Sequence, residues 1–306
     1  MPQAGFLYGT ATGHVCQNTI TMEKLKIAIQ KSGRLNEDSL RLLRDCGISI
    51  NNGADQLMAQ ASNFPLEVLY LRNSDIPQYV RDGVADIAVI GSNTEYEKQA
   101  GNDNVLNLGF SRCHLSMAVP KNAPYDGLEY FNGRKIATSY PNSLRAFLRE
   151  NNIDAEIHEI SGSVEIAPGI GLADGICDLV SSGSTLFKNG LREVHKVLES
   201  EAILVANPDL NGVKRDILDQ LVFRIKSVLA SRNNKYILLN APESSVETIS
   251  ALLPGMKSPT VLALKEKGWV SIHSVVSEDR FWEVIGKLKD AGATGILVIP
   301  IEKMIL

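Results

Sequence analysis

Between Gly171 and Thr185 an apolar run carrying Asp174 and Asp178 leads into Ser181, Ser182, Gly183, Ser184 and Thr185, where helical spacing begins. Small residues in such a turn let backbone N–H groups converge on an anion, and the start of a helix adds favourable charge. An ordinary tight turn uses the same residue types, so this segment alone leaves phosphate binding and simple chain reversal both open. The carboxylates Glu165, Asp174 and Asp178 would repel a bare phosphate, and so point to sugar hydroxyls or a bridging divalent cation beside it. A phosphorylated sugar satisfies both halves of the pattern.

The elements that would position this turn follow an α/β alternation. Strands are expected at Leu25–Ile29, Glu67–Leu71 and Ile87–Ile90, with helices at Glu37–Cys46 and Ile76–Asp82 between them. A second lobe opens near Arg112–Val119, continues through a strand at Lys135–Thr138 and a helix at Ser143–Asn151, and closes with the Ser/Gly turn. The lobes echo each other: GVAD at 83–86 precedes the strand that Asp86 opens and then Gly91 to Thr94, and GLAD at 171–174 precedes Asp178, its strand and Gly183 to Thr185. Ligands of open α/β sheets lie outside the carboxyl ends of the strands, so two facing lobes would form a cleft walled by post-strand loops. Those loops carry Lys31, Ser32, Gly33 and Arg34, then Arg72 and Asp75, then Ser92 to Thr94, and finally Ser181 to Thr185.

After an amphipathic stretch from Asn211 to Ser231 the order becomes strand 236–240, helix 244–253, strand 260–264, strand 270–276, helix 278–291 and strand 295–300. This βαββαβ order predicts a separate ferredoxin-like domain with two helices on one sheet face. It carries no cluster of catalytic residue types, His273 standing alone, which suits regulation or assembly.

Composition narrows the choices. The 306 residues, 44% hydrophobic and 22% charged with a formal charge of −4, suit a globular protein of two or three domains and offer no broad nucleic-acid surface. No apolar run approaches the ~18 residues that span a bilayer, and the first 21 residues, without a secretory signal, read as a disordered extension or an upstream start-codon choice. Cys16, Cys46, Cys113 and Cys177 lack metal or disulfide spacing, as expected for reduced cytoplasmic thiols.

Seven blocks in order carry a family resemblance: QKSGRL at 30–35, DIP at 75–77, IATSYP at 136–141, GSVEIAP at 162–168, DLVSSG at 178–183, NGLREV at 189–194 and IPIEKM at 299–304. Together they closely resemble the long form of the ATP phosphoribosyltransferases, from about Leu25 to the C-terminus. The resemblance implies transfer of phosphoribosyl from phosphoribosyl pyrophosphate to N1 of ATP with Mg²⁺, the first step of histidine biosynthesis. It also implies a two-lobed core like the periplasmic binding proteins, a C-terminal domain that binds L-histidine as feedback inhibitor, and a homohexamer with dimeric states.

Carried onto this sequence, Asp178 would hold the ribose hydroxyls, Ser181 to Thr185 the 5-phosphate, and Glu165 the ribose and metal region. Lys31, Gly33 and Arg34 would meet ATP or pyrophosphate, Arg72 and Tyr140 would complete the cleft, and Asp174 would join the substrate group. GMKSPT at 255–260 resembles the histidine-contacting segment; Met256, Ser258 and Thr260 would line that pocket with Val275, Gly295 and Asn240. The expected divisions are 1–21, then 22–110 with about 200–225 as the first lobe, 111–199 as the second, and 226–306 as the regulatory domain.

Four positions depart from the family pattern: Asn240 for His, Gly169 and Ile170 for Arg and Ala, and Ser92 for Glu. Two rival readings share the architecture, a two-lobed small-molecule binding protein and an inactive regulatory paralogue. The lack of a secretion signal counts against the first, and the presence of Lys31, Arg34, Glu165, Asp178, Gly183 and Thr185 against the second.

Overall fold

Two sheets of one plan carry the core, and a third stands apart. The computed structural model describes residues 23–51, 56–181 and 183–305; the expected extension at 1–21 and Ser182 lie outside the described residues. The first lobe begins with β1 (Leu25–Gln30), α1 (Arg34–Asp45), β2 (Met58–Gln60), β3 (Leu66–Leu71), α2 (Ile76–Arg81), β4 (Ile87–Gly91), α3 (Ser92–Lys98) and β5 (Asp103–Asn107). The second comprises β6 (Cys113–Pro120), β7 (Lys135–Thr138), α4 (Pro141–Glu150), β8 (Glu156–Glu159), β9 (Gly175–Val180), α5 (Ser184–Lys188) and β10 (Leu191–Ser200). The chain then returns to the first lobe with β11 (Ala202–Ala206), inserted between β4 and β5, and α6 (Gly212–Arg232).

Read in reverse, the second sheet β8-β7-β9-β6-β10 matches β3-β1-β4-β11-β5 of the first, with three parallel strands and then an antiparallel strand that follows a crossover between lobes; the first sheet adds β2 at its edge. In the first lobe Ile27, Ile29, Val68 and Val89 pack towards α1 and α6, while Ala28, Ala88 and Ile90 pack towards α2. This two-sided burial explains why the central strands read as continuous apolar runs. Helix α6 buries Ile217, Leu218, Leu221, Ile225 and Val228 in the first-lobe core and continues to Arg232, so the division expected near 225 falls inside one helix.

The last sheet is β13-β14-β12-β15, built from β12 (Asn234–Pro242), α7 (Val246–Leu252), β13 (Thr260–Ala263), β14 (Trp269–Ser277), α8 (Glu278–Asp290) and β15 (Thr294–Pro300). It is the βαββαβ arrangement, all antiparallel, with Ile237, Leu239 and Ile272 packed against Phe281, Val284 and Leu288 of α8. The C-terminal segment ties back to the core, where Met304 N donates to Ser227 O and Ser231 Oγ to Glu302 O.

The internal echo holds with a shift of register. Asp86 Oδ2 accepts from Lys26 N at 2.7 Å, and Asp174 Oδ2 accepts from Lys135 N at 2.9 Å. Each Asp also donates its own N–H to the carbonyl of that same Lys. Gly83 and Gly171 three residues earlier both have left-handed φ, 71° and 75°. Asp174, and not Asp178, is therefore the counterpart of Asp86. Both side chains fasten the entry of a central parallel strand, β1 in the first lobe and β7 in the second.

Candidate active site

The post-strand loops of both lobes meet at one cleft. β1 turns into α1 through Gly33, whose φ of 92° and ψ of −178° belong to a region open essentially to glycine. That turn places Arg34 at the first position of α1, where it lines two adjoining cavities. One, of about 330 Å³, is otherwise second-lobe: Glu165, Asp178, Ser181, Gly183, Ser184 and Thr185 line it. The other, of about 350 Å³, is shared between lobes, with Gln30, Asn73, Gly91, Asn93 and Thr94 facing Cys113, Leu179 and Ser181. Arg34 thus spans from the first lobe to the carboxylates and the Ser/Gly turn of the second. Gly183, at φ 70°, makes the turn into the short helix α5.

Asp178 sits half-buried on β9, its Oδ1 accepting from Leu179 N at 2.8 Å. Burial raises its pKa, with Glu165 adding to the rise and the Leu179 hydrogen bond opposing it. Tyr140 precedes α4, and burial together with the Asp178 charge pushes its hydroxyl far above the ordinary tyrosine range, so it stays a neutral hydrogen-bonding group.

Not every expected residue joins. Lys31 and Arg72 are exposed beside their strands, and neither lines the two cavities. Asp174 lies at the opposite end of β9 from Ser181, fixed by Lys135 N and facing Arg134 at 3.8 Å. It is removed from the substrate group because strand direction carries it to the far side of the sheet.

Sequence reasoning overlooked Asn73 and Glu97, and took Asn93 only as one of the loop residues 92–94. Asn73 Nδ2 donates to Thr94 Oγ1 at 3.0 Å, and Asn93 Oδ1 accepts from Ser200 Oγ at 2.7 Å. Their other amide atoms, Asn73 Oδ1 and Asn93 Nδ2, are buried without a hydrogen-bonding partner. An acceptor and a donor left open beside one cleft is the exception that buried amides rarely make. Ser92, the departure from the family pattern, braces the return crossover: its Oγ lies 3.2 Å from Ser200 Oγ and accepts from Glu201 N. A further cavity of about 450 Å³ behind this crossover is lined by Arg112 and Glu201, which pair with each other at 3.5 Å.

In the C-terminal domain, strand alternation puts Asn240, Thr260 and Val275 on the sheet face away from α7 and α8. Gly295 abuts Asn240, since a Cβ there would meet Asn240 Nδ2 at 3.5 Å. Met256 and Ser258 lie on the exposed loop before β13. His273 is centred on the same face, bonded to Tyr236 Oη at 2.7 Å and Ser271 Oγ at 3.0 Å.

A two-lobed α/β core whose facing loops join a cation, two carboxylates and a Ser/Gly turn belongs to the class of proteins that hold phosphorylated small molecules between lobes. The chain matches the family described as ATP phosphoribosyltransferase over residues 72–227 and that described as HisG, C-terminal domain, over 231–303. It is 59% identical to the ATP phosphoribosyltransferase of Cytophaga hutchinsonii, covering 92% of this chain and 98% of that one, and 54% identical to that of Bacteroides fragilis, covering 92% and 100%. Among solved structures it is similar to the "ATP phosphoribosyl transferase (HisG:HisZ) complex from Thermotoga maritima", with a TM-score of 0.57 and 27% identity over 66% of this chain and 98% of that one. The chain belongs to the ATP phosphoribosyltransferase family, in the long form with the C-terminal domain. It is a pentosyltransferase of the first step of histidine biosynthesis. Among the described residues, no helix is long and apolar enough to cross a membrane.

Proposed function

We propose that the 330 Å³ cavity holds the phosphoribosyl pyrophosphate and the adjoining shared cavity the adenine of ATP; the carrying observation is that Arg34 lines both. The Ser181–Thr185 turn receives the 5-phosphate, Asp178 and Glu165 the ribose hydroxyls. Displacement of pyrophosphate from C1 builds positive charge on the ribose and negative charge on the leaving group. Arg34 meets that leaving charge. Tyr140 packs beside Asp178 and closes the cleft.

Among the described residues no three His, Cys, Asp or Glu side chains are grouped to hold a metal ion. Two carboxylates, Glu165 and Asp178, nonetheless face the cavity, a donor set suited to a hard cation carried by substrate oxygens. Mg²⁺ held there would neutralise the leaving pyrophosphate. Adenine N1 brings its own lone pair, so no covalent nucleophile of the protein is required.

Asn73 and Asn93 line the shared cavity, and a rotation of either amide would turn its unpartnered acceptor or donor towards the donor and acceptor of an adenine edge. Asn73→Ala is therefore expected to raise the KM for ATP about tenfold while leaving that for phosphoribosyl pyrophosphate nearly unchanged. Equal changes in both would remove Asn73 from the adenine side.

Asp178 must be ionised to accept from ribose hydroxyls. Its raised pKa sets the sign: the group contributes stability that is present below the unfolded pKa and is lost as pH rises through the folded one. Activity runs the other way. The acid limb of kcat/KM is expected above the ordinary aspartate range, and a pH–rate profile with its limb at or below that range would contradict the assignment.

The open face of the C-terminal sheet is the proposed L-histidine site, with Asn240, Met256, Ser258, Thr260, Val275 and Gly295 around it. Exposed Leu262, Leu297 and Ile299 on the same sheet favour burial between copies, consistent with a homohexamer. The protein acts in the cytoplasm on small molecules. Incubation with ATP, phosphoribosyl pyrophosphate and Mg²⁺, with and without L-histidine, tests the whole reading by the ultraviolet absorbance of the N1-ribosylated product. Product suppressed by histidine supports both sites; product without suppression removes the regulatory one; no product from folded, ligand-binding protein removes the catalytic one.

A further inference from the structure

Helix α4 of the second lobe has no side-chain cap from its own lobe. The first N–H groups of a helix lack intrahelical acceptors, and Pro141 at the start of α4 has none to offer. The acceptor comes instead from the other lobe. Glu97, on α3 and only 6% exposed, takes Asn142 N on Oε1 at 2.9 Å, and Ser143 N and Ser143 Oγ on Oε2 at 2.8 and 2.6 Å. Its backbone carbonyl accepts from Asn142 Nδ2 at 3.0 Å. Four hydrogen bonds therefore join one first-lobe residue to the opening turn of a second-lobe helix.

We infer that Glu97 is a positioning residue that clasps the two lobes and so holds the halves of the catalytic cleft in register. Separation of the lobes would break all four bonds at once, three of them to a charged carboxylate, which makes the open arrangement unfavourable. The clasp bears directly on the cleft. Tyr140 immediately precedes α4 and faces Asp178, while Arg34 reaches the second-lobe cavity only with the lobes at this angle. The crossover bonds of Ser92 and Asn93 to Ser200, and of Ser111 Oγ to Asp38 Oδ2 at 3.0 Å, brace the same junction from the connecting strands. Glu97 differs from them in reaching a helix that begins inside the opposite lobe. This inference rests on the reading of the cleft as the site of transfer.

The ligand split supplies the test. Phosphoribosyl pyrophosphate is held by second-lobe groups apart from Arg34, whereas turnover needs both lobes. In Glu97→Ala, equilibrium binding of phosphoribosyl pyrophosphate with Mg²⁺ is expected to stay within about threefold, while kcat falls by about 10²-fold, the loss that a displacement of about 1 Å produces. The radius of gyration measured by X-ray scattering is expected to rise. Ser143→Ala, which removes one of the four bonds and leaves the fold in place, is expected to give a smaller kcat loss, and Glu97→Gln an intermediate one. Wild-type kcat in Ser143→Ala and Glu97→Gln, with an unchanged radius of gyration, would overturn the clasp. So would a loss of phosphoribosyl pyrophosphate binding as large as the loss of kcat. An inactive wild type would instead sink the transfer reading, and the scattering comparison would still decide the clasp.

Discussion

Arg34→Ala is expected to lower kcat/KM for phosphoribosyl transfer by about 10²- to 10³-fold, the usual loss when a group that stabilises transition-state charge is removed. Among the described residues of the first lobe, Arg34 alone lines both cavities of the cleft, which it shares with Glu165 and Asp178 on one side and Asn73 and Asn93 on the other. Its side chain is exposed to the cleft, so truncation leaves no buried orphan and the fold should survive. The effect should concentrate in kcat, because charge on pyrophosphate grows only as its bond to the ribose breaks. Arg34→Lys should recover only part of the loss, since an ammonium cannot reproduce the two-pronged contact of a guanidinium with phosphate oxygens. Steady-state kinetics with circular dichroism decide the matter. A variant within threefold of wild type would place the leaving-group charge elsewhere.

The paired aspartates give the second large effect, on stability. Asp86→Ala is expected to cost about 3 kcal/mol, because it strands two partners near a buried site. Asp86 is 5% exposed, with Lys26 N on one carboxylate oxygen and Lys214 Nζ on the other at 2.8 Å. A chain of this size would melt about 5 °C lower, read by calorimetry or thermal circular dichroism. Asp174→Ala removes the matching bond in the second lobe, yet its side chain is 45% exposed and water can take over Lys135 N. Its cost should be about 1 kcal/mol, with kcat within about twofold of wild type. Turnover lost in a stably folded Asp174→Ala would return Asp174 to the substrate site. A melting temperature unchanged in Asp86→Ala would show that the strand entries do not depend on these carboxylates.

Much of the catalytic architecture can be read along the chain because it is local. The turn at Gly33, the Ser/Gly turn after Asp178 and the βαββαβ order of the last domain follow from residue types a few positions apart, where periodicity and glycine's backbone freedom act. Strands whose partners are distant were harder to see. Leu191–Ser200 carries Arg192, Glu193, Lys196 and Glu199 along a sheet edge, and Asp103–Asn107 is a polar edge strand, so neither shows a clear alternation. Ala202–Ala206 is wholly buried, but its short apolar run has no period of its own to mark it as the strand that returns to the first lobe.

The sequence by itself determined the family, the α/β and ferredoxin-like units, and the residues of the Ser/Gly turn, since these rest on local spacing and ordered motif blocks. Tertiary structure alone decided that Asp174 anchors a strand, that Asn73 and Asn93 leave an acceptor and a donor beside the cleft, and that Glu97 caps a helix in the other lobe. On the chain, Glu97 is one more glutamate on a short helix. Its partners lie 45 and 46 residues away, and only the docking of one lobe on the other brings their N–H groups to its carboxylate.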